Sequence, residues 1–244
     1  MTLLSLHHWD AGQERGAREL RRVATGPVVI LTCDPAVSGA MWLMADYLPE
    51  IAALDRRTFP SPGTIAGWLG GTSIVETVPV PRDTCDWMLM AFWAHPERVL
   101  DARARNGVSA FARISPAALA RALEALGGDL RDGTWDRSYG HLRSLSTYDA
   151  GLRLIVNRVG TRNSAGPILI RDATAGDFPE ILALNAESEH FLSPLDEVLL
   201  GRLHARSAYH RVVDDEGKVV AFLIAVRDGT DHVSPNYKIG RAHV

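Results

Sequence analysis

Two uninterrupted apolar runs, Leu3-Leu4-Ser5-Leu6 and Val28-Val29-Ile30-Leu31, flank a stretch of helical periodicity. That arrangement constrains the fold more than any other part of the chain. A strand with no polar alternation needs cover on both faces, as the inner strands of a parallel sheet have. Residues 11–24 place Ala17, Leu20, Val23 and Ala24 at helical spacing, with Arg18, Arg21 and Arg22 outside. Asp10 is expected to cap that helix, and Thr25-Gly26-Pro27 to stop it. The product is a β–α–β unit with a right-handed crossover. In such sheets ligands sit beyond the carboxyl ends of the strands, where His7-His8-Trp9 and Asp34-Pro35 fall.

Further along, residues 38–54 read as a helix with Met41, Trp42, Met44, Ala45, Leu48 and Ile51 on one face, kinked or split at Pro49. Trp42, Met44 and Tyr47 fit either a pocket wall or a packed core stripe. Ser61 is expected to cap a helix over 62–69 that ends at Gly70-Gly71. The glycines of 67–71 lack the G-x-G-x-x-G spacing and do not lead from a strand into a helix, so they read as a helix end and turn. A strand is expected over 73–80 and a helix opening at Ser115-Pro116 that reaches Leu126 and closes at Gly127-Gly128. A last strand lies within 142–156. Polar, glycine-containing sequence follows, with a linker over 160–167. After it come a strand at 168–171, a capped turn at 173–177, and helices over 178–187 and 194–208. Two final strands, 210–213 and 219–226, are joined at Asp214-Asp215-Glu216-Gly217, a hairpin signal.

A formal net charge of -3 gives no electrostatic case for nucleic acid or an anionic membrane surface. With 46% hydrophobic and 23% charged residues, no run of membrane-span length and no cleavable leader, the expectation is a cytoplasmic protein with a small-molecule partner. Cys33 and Cys85 are read as buried thiols. His95-Pro96-Glu97 has no third ligand nearby in sequence, and no metal site is expected.

Several separated strings carry a family resemblance. LSLHHW, RELRRVATGPVVILTCDP, FWAHPERVLDARARNGVSAFA and DLRDGTWDRSYGHLRSLSTYDAGLRLIV, taken in order, resemble class I S-adenosylmethionine (SAM)-dependent methyltransferases of the UbiE-like (type 11) group, from the fourth strand onward. The resemblance runs over residues 1–159. It implies part of a Rossmann-like, doubly wound α/β sheet, complete at seven strands, with a final antiparallel hairpin strand. It also implies SAM as cofactor, held by a glycine-rich loop after strand one and an acidic residue after strand two; neither signature occurs in this sequence. His7 or His8 would serve as general base for an oxygen or nitrogen nucleophile. Trp9, Asp34, Trp42 and Tyr47 would contact substrate, unless Asp34 caps the next helix.

Residues 168–237, headed by ILIRDATAGDFPEILALNAES, resemble the opening of GCN5-related N-acetyltransferases (GNAT), a partial α+β domain. This implies acetyl-CoA, whose glycine-rich loop is likewise not found, and Glu187, Glu189 and His190 would lie near the substrate loop. Residues 238–244 read as a translated sequencing adapter. The expectation for the chain as it stands is a truncated methyltransferase of weak or no activity. The alternatives are an acetyl-CoA-dependent N-acyltransferase and a silent binding module.

Overall fold

The structure, a computed structural model, describes residues 2–84, 88–158, 168–187 and 194–226. It divides into two compact units, Met1–Thr161 and Arg162–Val244. Cys85, the 160–167 linker, Glu189, His190 and the 238–244 tail lie outside the described residues.

The first unit contains strands β1 (Thr2–Leu3), β2 (Val28–Cys33), β3 (Ser73–Thr77), β4 (Val80–Pro81), β5 (Thr147–Tyr148) and β6 (Leu152–Asn157). Its helices are α1 (Gln13–Val23), α2 (Pro35–Ser38), α3 (Pro49–Thr58), α4 (Pro62–Leu69), α5 (Pro96–Leu100), α6 (Ala102–Asn106), α7 (Ser109–Ala112), α8 (Pro116–Arg131) and α9 (Thr134–Tyr139). The main sheet has the order β1-β2-β6-β3. β1 runs parallel to β2, with Thr2 opposite Ile30, whereas β6 is antiparallel to both β2 and β3. The antiparallel closing strand is thus present. Every residue of β2 is buried, as its unbroken apolar sequence requires, while Ile74 and Val75 on the outer strand β3 stay partly exposed. Leu6, Ala17, Val28, Ile30, Ile65, Leu69 and Ile155 form one core beneath α1 and α4. Burying each large aliphatic there contributes about 1.5–3 kcal/mol.

Several expected boundaries move, each for a local reason. The first strand ends at Leu3, because Leu4 adopts φ 45° and the chain turns into a 3-10 segment, Leu6–Gly12. Asp10 does not cap α1: it sits at φ 45° in the kink ahead of the helix, which begins at Gln13 with no side-chain cap. The Gln13 amide donates instead to the Thr58 carbonyl at 2.9 Å, tying the start of α1 to the end of α3. The expected 38–54 helix is split. One π-helical turn, Leu43–Tyr47, precedes Pro49, and the proline opens α3, where a missing N–H costs nothing.

Gly127 and Gly128 do not end α8, which continues to Arg131. Leu126 and Gly127 are buried on its inner face, and that packing outweighs the roughly 1 kcal/mol each glycine costs a helix. The 73–80 strand breaks after Thr77, and Val80-Pro81 pairs separately with β5. Ser61 and Ser115 cap α4 and α8 as expected, accepting from Thr64 and Ala118 N–H at 3.1 Å. The Asn157 amide donates to Gly70 O at 2.6 Å and Ser73 Oγ at 2.9 Å, fastening the end of β6 to the glycine turn.

The second unit is an antiparallel sheet in the order β7 (Ile168–Asp172), β8 (Ser207–Asp215), β9 (Lys218–Val226), with α10 (Phe178–Ala186) and α11 (Glu197–Arg206) between the first two strands. Asp215 pairs with Lys218 across a two-residue turn in which Glu216 and Gly217 have φ 58° and 85°, the left-handed geometry that matches strand twist. Thr174 and Asp177 form a capping box ahead of α10. Asp177 also receives two hydrogen bonds from Arg171, at 2.7 and 2.9 Å, and Arg171 Nε reaches Asp214 at 3.0 Å. The guanidinium therefore holds the Asp177 carboxyl far below the usual range, helped by the Thr174 N–H and hydroxyl.

Candidate functional site

The carboxyl ends of β1 and β2 and the start of β6 meet at one edge of the first unit. The Asp34 N–H donates to Gly151 O at 2.7 Å, closing the β2–β6 ladder. Its carboxylate accepts from Ala36 N–H at 3.0 Å and caps α2. Gly151 lies at φ 97°, and a Cβ there would fall 2.8 Å from Ser38 N and 3.0 Å from Asp34 O. This is a close backbone crossing that only glycine fits.

His7 and His8 lie just beyond β1, with ring centroids 3.9 Å apart, and His7 packs on Phe59 at 4.3 Å. Burial, reinforced by His8 and Arg113, pulls His7 down to about 4, so its imidazole is neutral at ordinary pH and a weak base. His8 is exposed. Trp9 turns away along α1: its ring covers Gly16 and lines an open surface groove of about 440 Å³ with Arg15, Leu20 and Val23. Cys33 is fully buried, and burial drives its thiol up to about 12, so it offers no thiolate.

Trp42 and Tyr47 come together elsewhere, in an aromatic cluster. Trp42 is 2% exposed; its indole N–H donates to Trp93 O at 2.8 Å, and its ring stands edge-on to Tyr47 at 5.8 Å and to Trp135 at 5.3 Å. Tyr47 donates to Asp129 Oδ2 at 2.6 Å, and Tyr139 donates to Asp46. Burial and the Asp129 bond push the Tyr47 hydroxyl well above its usual value, and the Asp46 bond raises Tyr139 to about 12. Both phenols therefore stay protonated, as donors clamping the π-helical turn to α8 and α9.

Sequence reasoning missed Asp55. It is 6% exposed on α3, and burial raises its carboxyl to about 6, with Arg113 acting the other way. Ile51, Ala52 and Asp55 share the buried face of α3, at spacings of three and four. A lone carboxylate at an apolar position was the available signal. Phe59, one turn further on, carries the contact to His7, and Arg113 acts electrostatically on both Asp55 and His7. Buried carboxyls with raised pKa values are commoner at functional sites than elsewhere.

Replacing Asp55 by Asn gives a test with a definite sign. A carboxyl raised in the fold stabilises it below the unfolded value, and that stability is lost as pH rises through about 6. The variant should gain on the parent between pH 4 and 6 and end about 1–3 kcal/mol more stable at pH 7. Urea melts across that range measure it; a difference that stays flat with pH would show Asp55 to be an ordinary solvated carboxylate.

The residues present do not fit a SAM cradle. Gly70 and Gly71 are consecutive left-handed glycines, but they follow a helix, and a Cβ on Gly70 would meet nothing within 4 Å. The Asp34 carboxylate is committed to its cap. Among the described residues no group of three His, Cys, Asp or Glu side chains could hold a metal ion, and no helix is long and apolar enough to cross a membrane.

A crystal structure of a candidate methyltransferase from an antibiotic biosynthesis pathway of Anabaena variabilis is similar to this chain, with a TM-score of 0.58 and 30% sequence identity over 64% of each chain. The chain thus spans somewhat less than two thirds of that neighbour's length. No protein-family model and no curated protein matches it. The likeness and the mixed sheet together define a methyltransferase-like α/β fold.

Proposed function

We propose that the first unit is the acceptor-side part of a cytoplasmic, SAM-dependent methyltransferase for a small molecule, of the UbiE-like kind. The observation that carries this reading is the sheet order β1-β2-β6-β3 with an antiparallel β6, in a chain 30% identical to a methyltransferase-like structure. In a complete enzyme of this kind SAM supplies an electrophilic methyl group. The residues here would seat the acceptor beyond β1 and β2 and take its proton. Asp55 suits the second task better than His7, since a carboxylate of pKa about 6 is ionised at neutral pH yet more basic than an imidazole at about 4. Exposed His8 remains the candidate for holding the acceptor; Trp9 is turned onto α1, the Asp34 carboxylate serves its cap, and Trp42 and Tyr47 pack in the aromatic cluster.

For the second unit, the order of one strand, two helices and a hairpin supports a GNAT-type opening. Acetyl-CoA would be its cofactor.

Resequencing the source DNA through both ends, then titrating the encoded product with SAM by calorimetry, tests the first reading. A frame running upstream into a strand followed by G-x-G-x-G, and a product binding one SAM, is the expected result. A stop immediately before Met1, with no heat from SAM, would sink it and favour a silent binding module.

A further inference from the structure

His204 on α11 and His210 on β8 face each other with their Nδ1 atoms 2.9 Å apart and their rings at 67°. At that separation one proton lies between the two nitrogens; two would place N–H against N–H. His210 is 6% exposed, and its Nε2 is sealed from solvent with no hydrogen-bond partner among the described residues. An orphaned acceptor is commoner in protein interiors than an orphaned N–H. The neutral pair therefore rests with His210 Nδ1–H donating to His204 Nδ1, and the His204 proton on its outer nitrogen.

We propose that this pair is a proton-operated latch between α11 and β8, closed at neutral pH and released by acidification. The reason is the set of places left for further protons. A third proton has only His210 Nε2, where no acceptor waits. A fourth must enter the shared position and break the contact. Both steps oppose keeping α11 on the sheet, and both are relieved when the helix lifts and water reaches the rings.

The surroundings offer little compensation. Phe178 stands edge-on to His204 at 5.4 Å, Ile224 lies opposite His210 on β9, and Ala173 after β7 donates its N–H to the His210 carbonyl. Among the described residues Asp177 is the carboxylate acting on His210, and it is already bound to Arg171 and Thr174. Burial, then His204, holds His210 down to about 4, with Asp177 acting the other way. A histidine lowered in the fold lends stability above its ordinary value of 6.5, and that stability is lost as pH falls toward about 4. The latch depends on neither reading of the enzyme chemistry.

Hydrogen exchange on the full chain tests it. After correction for the intrinsic pH dependence of exchange, protection of the α11 amides should fall about tenfold between pH 7 and pH 5, while α8 of the first unit holds. His210→Asn keeps a donor toward His204 but cannot take a proton, so it should remove the fall. If that variant shows no protected amides at pH 7, His204→Asn is read in the same way. Long-range nitrogen correlation spectra should show one Nδ1 proton shared by the two rings at pH 7. Constant protection in the parent, an undiminished fall in the Asn variant, or two Nε2–H rings without a shared proton would each overturn the proposal.

Discussion

Replacing Trp135 by Ala should destabilise the first unit by about 3–5 kcal/mol, lowering its melting temperature by roughly 6–20 °C. The ring is fully buried and is the hub of the aromatic cluster, edge-on to Trp42 at 5.3 Å and 5.8 Å from Tyr139. The Arg143 guanidinium lies 4.7 Å from its centroid while bound to Glu97 and Asp136. Truncation would leave a cavity between α8, α9 and the π-helical turn and strip that cation of its aromatic face. The indole N–H is buried without a partner among the described residues, so Trp135→Phe removes an orphaned donor along with some packing and should cost far less, about 1 kcal/mol. Urea denaturation of the two variants decides the matter. Equal losses would mean that the ring's bulk is not what holds the cluster.

Gly151→Ala should cost about 2–4 kcal/mol, for a reason unrelated to apolar burial. The backbone lies at φ 97°, outside what an L side chain adopts easily, and the new Cβ would press on the Ser38 N–H and Asp34 carbonyl rather than on a side chain able to swing aside. Since this crossing sets how β6 docks on the end of β2, the damage should appear at the proposed acceptor site too. Gly128→Ala is the control: that glycine is helical, nothing lies within 4 Å of its would-be Cβ, and the change should be neutral or stabilising by up to about 1 kcal/mol. Two glycine-to-alanine changes in one unit should thus move stability in opposite directions or leave the second unmoved.

What could be read in the sequence was local. The Val28–Cys33 run announced a strand buried on both faces, Ser61 and Ser115 announced helix starts, and Asp214 to Gly217 announced the hairpin, because each carries its cause within a few residues. What escaped was set by residues far apart in sequence. Asp10 lost its capping role to a kink that carries Trp9 onto Gly16. Gly127 and Gly128 continued a helix because Leu126 and Gly127 pack on its inner face. At the candidate site, sequence placed His7, His8 and Asp34 at strand ends and offered the cap that Asp34 makes, but could not tell that burial would quiet His7. Asp55 carried a faint signal, a carboxylate on an apolar face, and the meeting of His204 with His210 carried none.

The aromatic cluster has an optical consequence. All six tryptophans of the chain precede residue 161, and the second unit contains none. Intrinsic tryptophan emission therefore follows the first unit alone, with buried Trp42, Trp93 and Trp135 supplying the shift toward longer wavelength as it opens. A melt followed at once by tryptophan emission and by far-ultraviolet circular dichroism would separate the two unfolding events in a single sample, without cutting the chain.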